Sequence, residues 1–196
     1  MEKQHNNKST ALNQYICHRG FHPDPNGDAD IFYDGKYIRG NWIWGYLWVG
    51  SRYTCIIPYN LGVNIEPEKN QMQAHIKEVL PETVSMFSGL YSNCYEKKIW
   101  QGDIVRFNNG VSSVLGRVVF EHGAFGIGCN DTDSLISLSI GIRNWCRNDN
   151  YVSFHELMEN QDSADVDQVD HLEVLGNVWE NDLDDFADDG RDAKFE

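Results

Sequence analysis

The sequence predicts a mainly β protein, with an N-terminal β region packed against a second domain that is a small β-barrel or rolled sheet. Two observations carry this expectation. Short apolar runs alternate with a period of two, and turn signals built from Gly, Asn, Asp and Pro recur between them, which makes a long helix a poor fit. With 196 residues, 41% hydrophobic and 12% aromatic, the chain can bury a core as one domain or as two small neighbours.

The order of segments follows from these signals. Residues 1–14 are polar and read as a flexible N-terminus, followed by an N-terminal β-rich region over 15–83. A short strand is expected at residues 15–17, and the run HPDPNGDAD after it reads as turn punctuation. Ile31 to Tyr33 meets Asp34-Gly35, a hairpin turn signal, before Tyr37-Ile38. Trp42, Trp44, Tyr46 and Trp48 then share one parity, with Ile43 and Leu47 on the other, so a strand places an aromatic row on one face. Such a row suits internal packing, a protein interface or a stacking surface. Pro58 stops the next strand, Cys55 to Ile57. Residues 71–79 are polar enough for a short surface helix, which Pro81 closes.

Residues 84–181 read as the second β domain. Ile104 to Phe107 forms a strand, Asn108-Asn109-Gly110 a turn, and Gly116 to Phe120 another strand, with Gly123 and Gly126 interrupting the passage that follows. This order looks SH3-like. Residues 135–142 suggest a further strand, residues 152–158 a strand or one helical turn, and residues 162–170 an acidic insertion before the closing strand around Leu172 to Trp179. In Gln101-Gly102-Asp103, Gly102 suits a positive φ and Asp103 suits accepting backbone amide bonds.

Several of these motifs together resemble the YopX-like family of phages and prophages. The carrying residues are Arg19-Gly20, YIRGNWIWGY (37–46), Cys55 to Pro58, PETV (81–84), MFSGLYSNCYEKKIWQGDIV (86–105) and LEVLGNVWEN (172–181), in the order such proteins show. The resemblance spans roughly residues 19–181 and implies an SH3-like fold and a phage setting, without an activity. Gly89, Gly102, Asp103, Gly176 and Asn177 are the structural positions of its motifs. Gln101 stands where an acidic residue is common, and the loop before it is slightly long.

Composition narrows the function. The chain carries a net charge of −14. Residues 162–196 hold thirteen acids against two bases, a net of −11, which leaves −3 for the rest. Residues 182–196 therefore read as an acidic flexible tail, with Asp182, Asp184, Asp185, Asp188 and Asp189 as candidate binding groups. This balance opposes direct nucleic-acid binding unless Lys97, Lys98, Arg106 and Arg117 converge on one face.

Five widely spaced cysteines give no disulfide framework or CxxC pair, and no metal or cofactor is expected. No phosphate loop, zincin or nucleophile-elbow motif occurs, so a non-enzymatic role is expected. No apolar run is long enough for a membrane span or a signal peptide, which points to the cytoplasm. The expected function is that of an accessory protein acting on an unidentified host or phage protein, with Trp42, Trp44, Trp48 and the acidic end as binding elements. Acidic DNA mimicry and structural homo-oligomerisation are the alternatives.

Overall fold

A computed structural model of the chain describes residues 17–58, 76–92, 97–108, 113–129, 150–159 and 168–187. The expected strand at 135–142 and the acidic residues Asp188 and Asp189 lie outside them. The chain divides into two compact units, residues 1–87 and 88–196.

Unit 1 is an antiparallel sheet built on one long strand. Its strands are β1 (His18–Pro23), β2 (Ala29–Tyr33), β3 (Lys36–Val49), β4 (Thr54–Pro58) and β5 (Lys77–Glu78). A 3-10 turn, Pro81–Thr83, leads to β6 (Ser85–Tyr91), whose first residues belong to this unit. The order is β5-β4-β3-β1-β6, with β2 also paired to β3. Asp34 and Gly35, at φ 49° and 77°, close the β2–β3 hairpin with Tyr33 opposite Lys36. Positive φ at both central residues matches the right-handed twist of the strands. The core gathers Phe21, Ile31, Ile56, Val79 and Phe87, all buried. Buried Thr83 ties the 3-10 turn to β1 by accepting from the Phe21 amide at 2.9 Å and donating to the Leu80 carbonyl at 2.7 Å.

Two expectations for unit 1 change. The first strand runs through residues 18–23 because the β3 register extends to Pro23 opposite Gly40, so the prolines follow pairing instead of preventing it. At the end of the expected surface helix, Lys77 and Glu78 are a strand paired with Ile56 and Cys55; residues 71–75 lie outside the described residues. An exposed edge of β4 offers backbone partners that outweigh a weak helical preference.

Unit 2 begins within β6 and continues with β7 (Lys98–Trp100), which pairs with β6. Its main sheet contains β8 (Asp103–Asn108), β9 (Ser113–Glu121), β10 (Ala124–Gly128), β11 (Tyr151–Ser153) and β12 (Leu172–Asn177). The order is β11-β10-β9-β8-β12, antiparallel throughout. The short helix α1 (Phe154–Met158) starts on a capping box in which Ser153 and Glu156 bond each other's backbone amides. Residues 152–158 thus hold both the strand and the helical turn. Val105, Phe107, Val114, Val118, Ile127, Val152, Phe154, Leu157 and Leu172 form one buried cluster.

The barrel expectation is corrected. Among the described residues β11 and β12 are the two ends of an open five-stranded sheet and do not pair with each other. Barrel closure requires the outer strands to tilt and meet. Here β11 passes at once into α1 and β12 into a turn, and among the described residues each pairs with one strand only. Gly126 does not interrupt β10 either; a Cβ there would strike the Val152 carbonyl oxygen, so glycine permits the close β10–β11 approach. The protein is a mainly β molecule with two open sheets.

Candidate functional site

The two motifs of unit 2 are a structural junction. Gly102 has φ +82°, the left-handed region that side chains resist, and turns the chain out of β7. Its amide donates to the Val118 carbonyl and its own carbonyl accepts from the Val178 amide. Asp103, 2% exposed, accepts from the Trp100 amide at 2.8 Å and stands directly opposite Asn177. Asn177, also buried, accepts from the amides of Trp179 and Glu180 through its side chain and donates to the Glu180 carboxylate at 2.8 Å. Asn181 reaches back to the Asn177 amide, and a Cβ on Gly176 would strike its side-chain oxygen. The Gly-Asn…Glu-Asn motif is therefore one self-bonded turn, in which the Asn177 side chain is committed to backbone amides and to the Glu180 carboxylate. Gly89, at φ +86° within β6, is the remaining motif glycine.

The acidic end begins with order. Leu183–Phe186 form a 3-10 turn, in which the Asp182 side chain caps the start and the Asp185 carboxylate accepts from the Asp182 amide at 3.0 Å. Arg106 donates to the Phe186 carbonyl at 2.7 Å and holds this turn on unit 2. Residues 182–187, read from sequence as the start of a mobile tail, are thus anchored by a cation on β8. Arg106 is engaged there, Glu173 lies directly opposite it, and Lys97 donates to the Val174 carbonyl. Of the expected basic set, two members are therefore used within unit 2, beside a carboxylate.

The aromatic row of unit 1 lies largely in the open. The β1–β3 register places Arg19 opposite Trp44 and Phe21 opposite Trp42, and the β3–β4 register places Ile57 opposite Tyr46 and Cys55 opposite Trp48. Directly paired residues share a face, so one face carries all of them. At its inner end Trp42 is partly buried, edge-on to Phe21 at 5.5 Å, with the Arg19 guanidinium 5.0 Å from its ring centroid. Arg19 is itself buried and donates through Nε to Ser85. Further along, Trp44 is 49% exposed, Tyr46 40% and Trp48 50%. The Trp48 ring reaches back over Gly50, and Tyr53 is exposed beside that turn. Internal packing accounts for Trp42 but leaves Trp44 and Trp48 half in water.

Chemistry at this face is quiet. Burial, reinforced by the Glu78 carboxylate, raises the Cys55 thiol above its ordinary value, which disfavours the nucleophilic thiolate. In unit 2, burial and then the Glu156 and Glu121 carboxylates push the Tyr151 phenol up to about 12, while its hydroxyl donates to the Ala124 carbonyl. Among the described residues no group of three or more His, Cys, Asp or Glu is placed to hold a metal ion. Cys17, Cys55 and Cys129 are buried.

Fold and site together define a two-sheet β protein whose outward feature is an aromatic sheet face. No family model matches the chain, and neither a curated protein nor a solved structure matches it. The YopX-like assignment thus has no support from these comparisons and rests on the quoted motifs alone. Among the described residues no helix is long and apolar enough to cross a membrane.

Proposed function

We propose that the protein is a non-enzymatic binding module, of the accessory kind the motif resemblance implies for phages and prophages, and that it recognises a protein through the aromatic face of β3. The observation that carries this reading is the exposure of Trp44, Tyr46 and Trp48 on one face of one strand. Each half-exposed ring forgoes roughly half of the about 1.5–3 kcal/mol that full burial of a large apolar side chain is worth, and aromatic residues are enriched where interfaces bury them. A cytoplasmic setting belongs to the same proposal.

The acidic end supplies attraction rather than shape. Asp182 and Asp185 are bonded to each other's backbone within one 3-10 turn, an arrangement unlike the regular phosphate spacing of a duplex. Long-range attraction speeds encounter with a basic partner, while the apolar rings set residence time.

The test is affinity capture from a phage-bearing bacterium with the full chain, a W44A/W48A variant and a D184N/D188N/D189N variant. Asp182 and Asp185 are left intact because they cap the turn. Selective loss of a captured protein with W44A/W48A supports recognition by β3. Retention with that variant but loss with the neutralised one moves recognition to the acidic end.

A further inference from the structure

Resting on that reading of the β3 face, we infer that its occupant is an extended segment of a partner protein bearing arginines, which stack on Trp44 and Trp48. The face already performs this chemistry once. Arg19 lies 5.0 Å from the Trp42 ring centroid, a guanidinium over an indole, with its Nε bonded to Ser85. Trp44 and Trp48 repeat the same ring on the same side of the same strand, half exposed. An indole face carries negative quadrupole density and is the best aromatic partner for a cation, and a planar guanidinium stacks where an ammonium cannot.

Charge favours the same ligand. Of the two charged residues of β5, Glu78 lies opposite Cys55 and so on the aromatic side, while Lys77 lies opposite Ile56 and so on the reverse. Glu78 stands two strands, about 10 Å, from Trp48, within reach of a further cation on the same ligand. Burial first, and then this carboxylate, raise the Cys55 thiol on the same face. Of the chain's net −14, −11 lies in residues 162–196 of unit 2, so the charge that recruits a cation to this face is the local one of Glu78.

Spacing makes the inference specific. Trp44 and Trp48 are four residues apart on an extended strand, about 13 Å at strand rise. An extended ligand running along β3 meets both rings with arginines at positions i and i+4.

Binding is measured by calorimetry on the full chain with three short Ser/Thr/Gly peptides. One has two arginines at i and i+4, the second has lysines there, and the third has its arginines adjacent. The spaced arginine peptide is expected to bind about tenfold more tightly than either twin and to lose about tenfold with W44A/W48A, while W44F/W48F retains part of the affinity. Circular dichroism of each variant establishes that the fold is kept.

Equal affinity for the arginine and lysine peptides, or binding indifferent to W44A/W48A, would overturn the inference. If protein capture still depends on Trp44 and Trp48 in that case, the surface stands and only the arginine chemistry fails; if capture is also indifferent, both fall. Self-association in sedimentation that is lost in W44A/W48A, without peptide binding, would assign the face to a second copy and overturn it as well.

Discussion

Unit 2 and unit 1 spend the same strand alternation differently. In unit 2 the apolar parity of β8 and β9 turns inward onto Phe154 and Leu157 of α1 and onto Leu172 of β12, and its motif residues satisfy one another. In unit 1 the aromatic parity of β3 begins partly buried at Trp42 and ends half in water at Trp48. The difference teaches that a motif's residues and a binding surface need not coincide. The Gly102-Asp103 and Gly176-Asn177 pairs hold the sheet together, whereas the β3 row carries apolar surface that its own unit leaves open.

Substitutions that remove core atoms sharpen this contrast most. Phe154→Ala is expected to cost about 3–5 kcal/mol in denaturant unfolding, because the ring is 1% exposed and its loss leaves a cavity. Trp44→Ala and Trp48→Ala, which remove a larger group that is already half in water, are expected to cost only about 1 kcal/mol each while abolishing capture. A cost at Trp48 comparable to that at Phe154 would break the comparison and return the row to the core.

The junction comes next. Asn177→Ala leaves the Trp179 and Glu180 amides without their side-chain acceptor and is expected to cost about 1–3 kcal/mol in the same assay. Gly102→Ala places a Cβ at φ +82°, where about 1–2 kcal/mol is lost to strain, and the lack of any close contact there means that the loss reflects backbone conformation. The nearest atom to that Cβ, a methyl of Val178, is at an ordinary 3.5 Å.

The smallest effect is a pH dependence confined to unit 1. Burial lowers the His18 pKa below its ordinary 6.5, and its Nδ1 is a buried atom with no hydrogen-bond partner among the described residues. The unfolded chain therefore binds this proton more readily than the folded one. Stability from neutral His18 is fully present above 6.5 and is lost as pH falls from there through the lower folded value. Replacing His18 with Gln should flatten that part of the stability profile, followed by thermal unfolding across mildly acidic pH. An unchanged profile would show that another group governs it.

Much of this architecture was legible in the residues. Asp34-Gly35 reads as a hairpin because few side chains tolerate positive φ, and Gly102-Asp103 reads as a turn with an amide acceptor for the same local reason. The aromatic parity of β3 follows from strand geometry alone. What covers each face was not legible, since Trp42 and Trp44 are two positions apart and differ only in what packs beside them. Barrel closure was misread because strand patterns specify pairing partners locally and say little about whether the outermost edges meet. The anchoring of the acidic end depends on a bond from Arg106 to a backbone carbonyl eighty residues on, which carries no side-chain signature at Phe186.

The most direct test of the central claim is hydroxyl-radical footprinting of the full chain, free and mixed with a phage-bearing bacterial extract, with oxidation read residue by residue by mass spectrometry. Recognition through β3 predicts that Trp44 and Trp48 are oxidised readily in the free chain and become protected in the extract, with Trp100 unreactive in both. Trp44 and Trp48 equally oxidised in buffer and in extract, with protection appearing elsewhere on the chain, would contradict it.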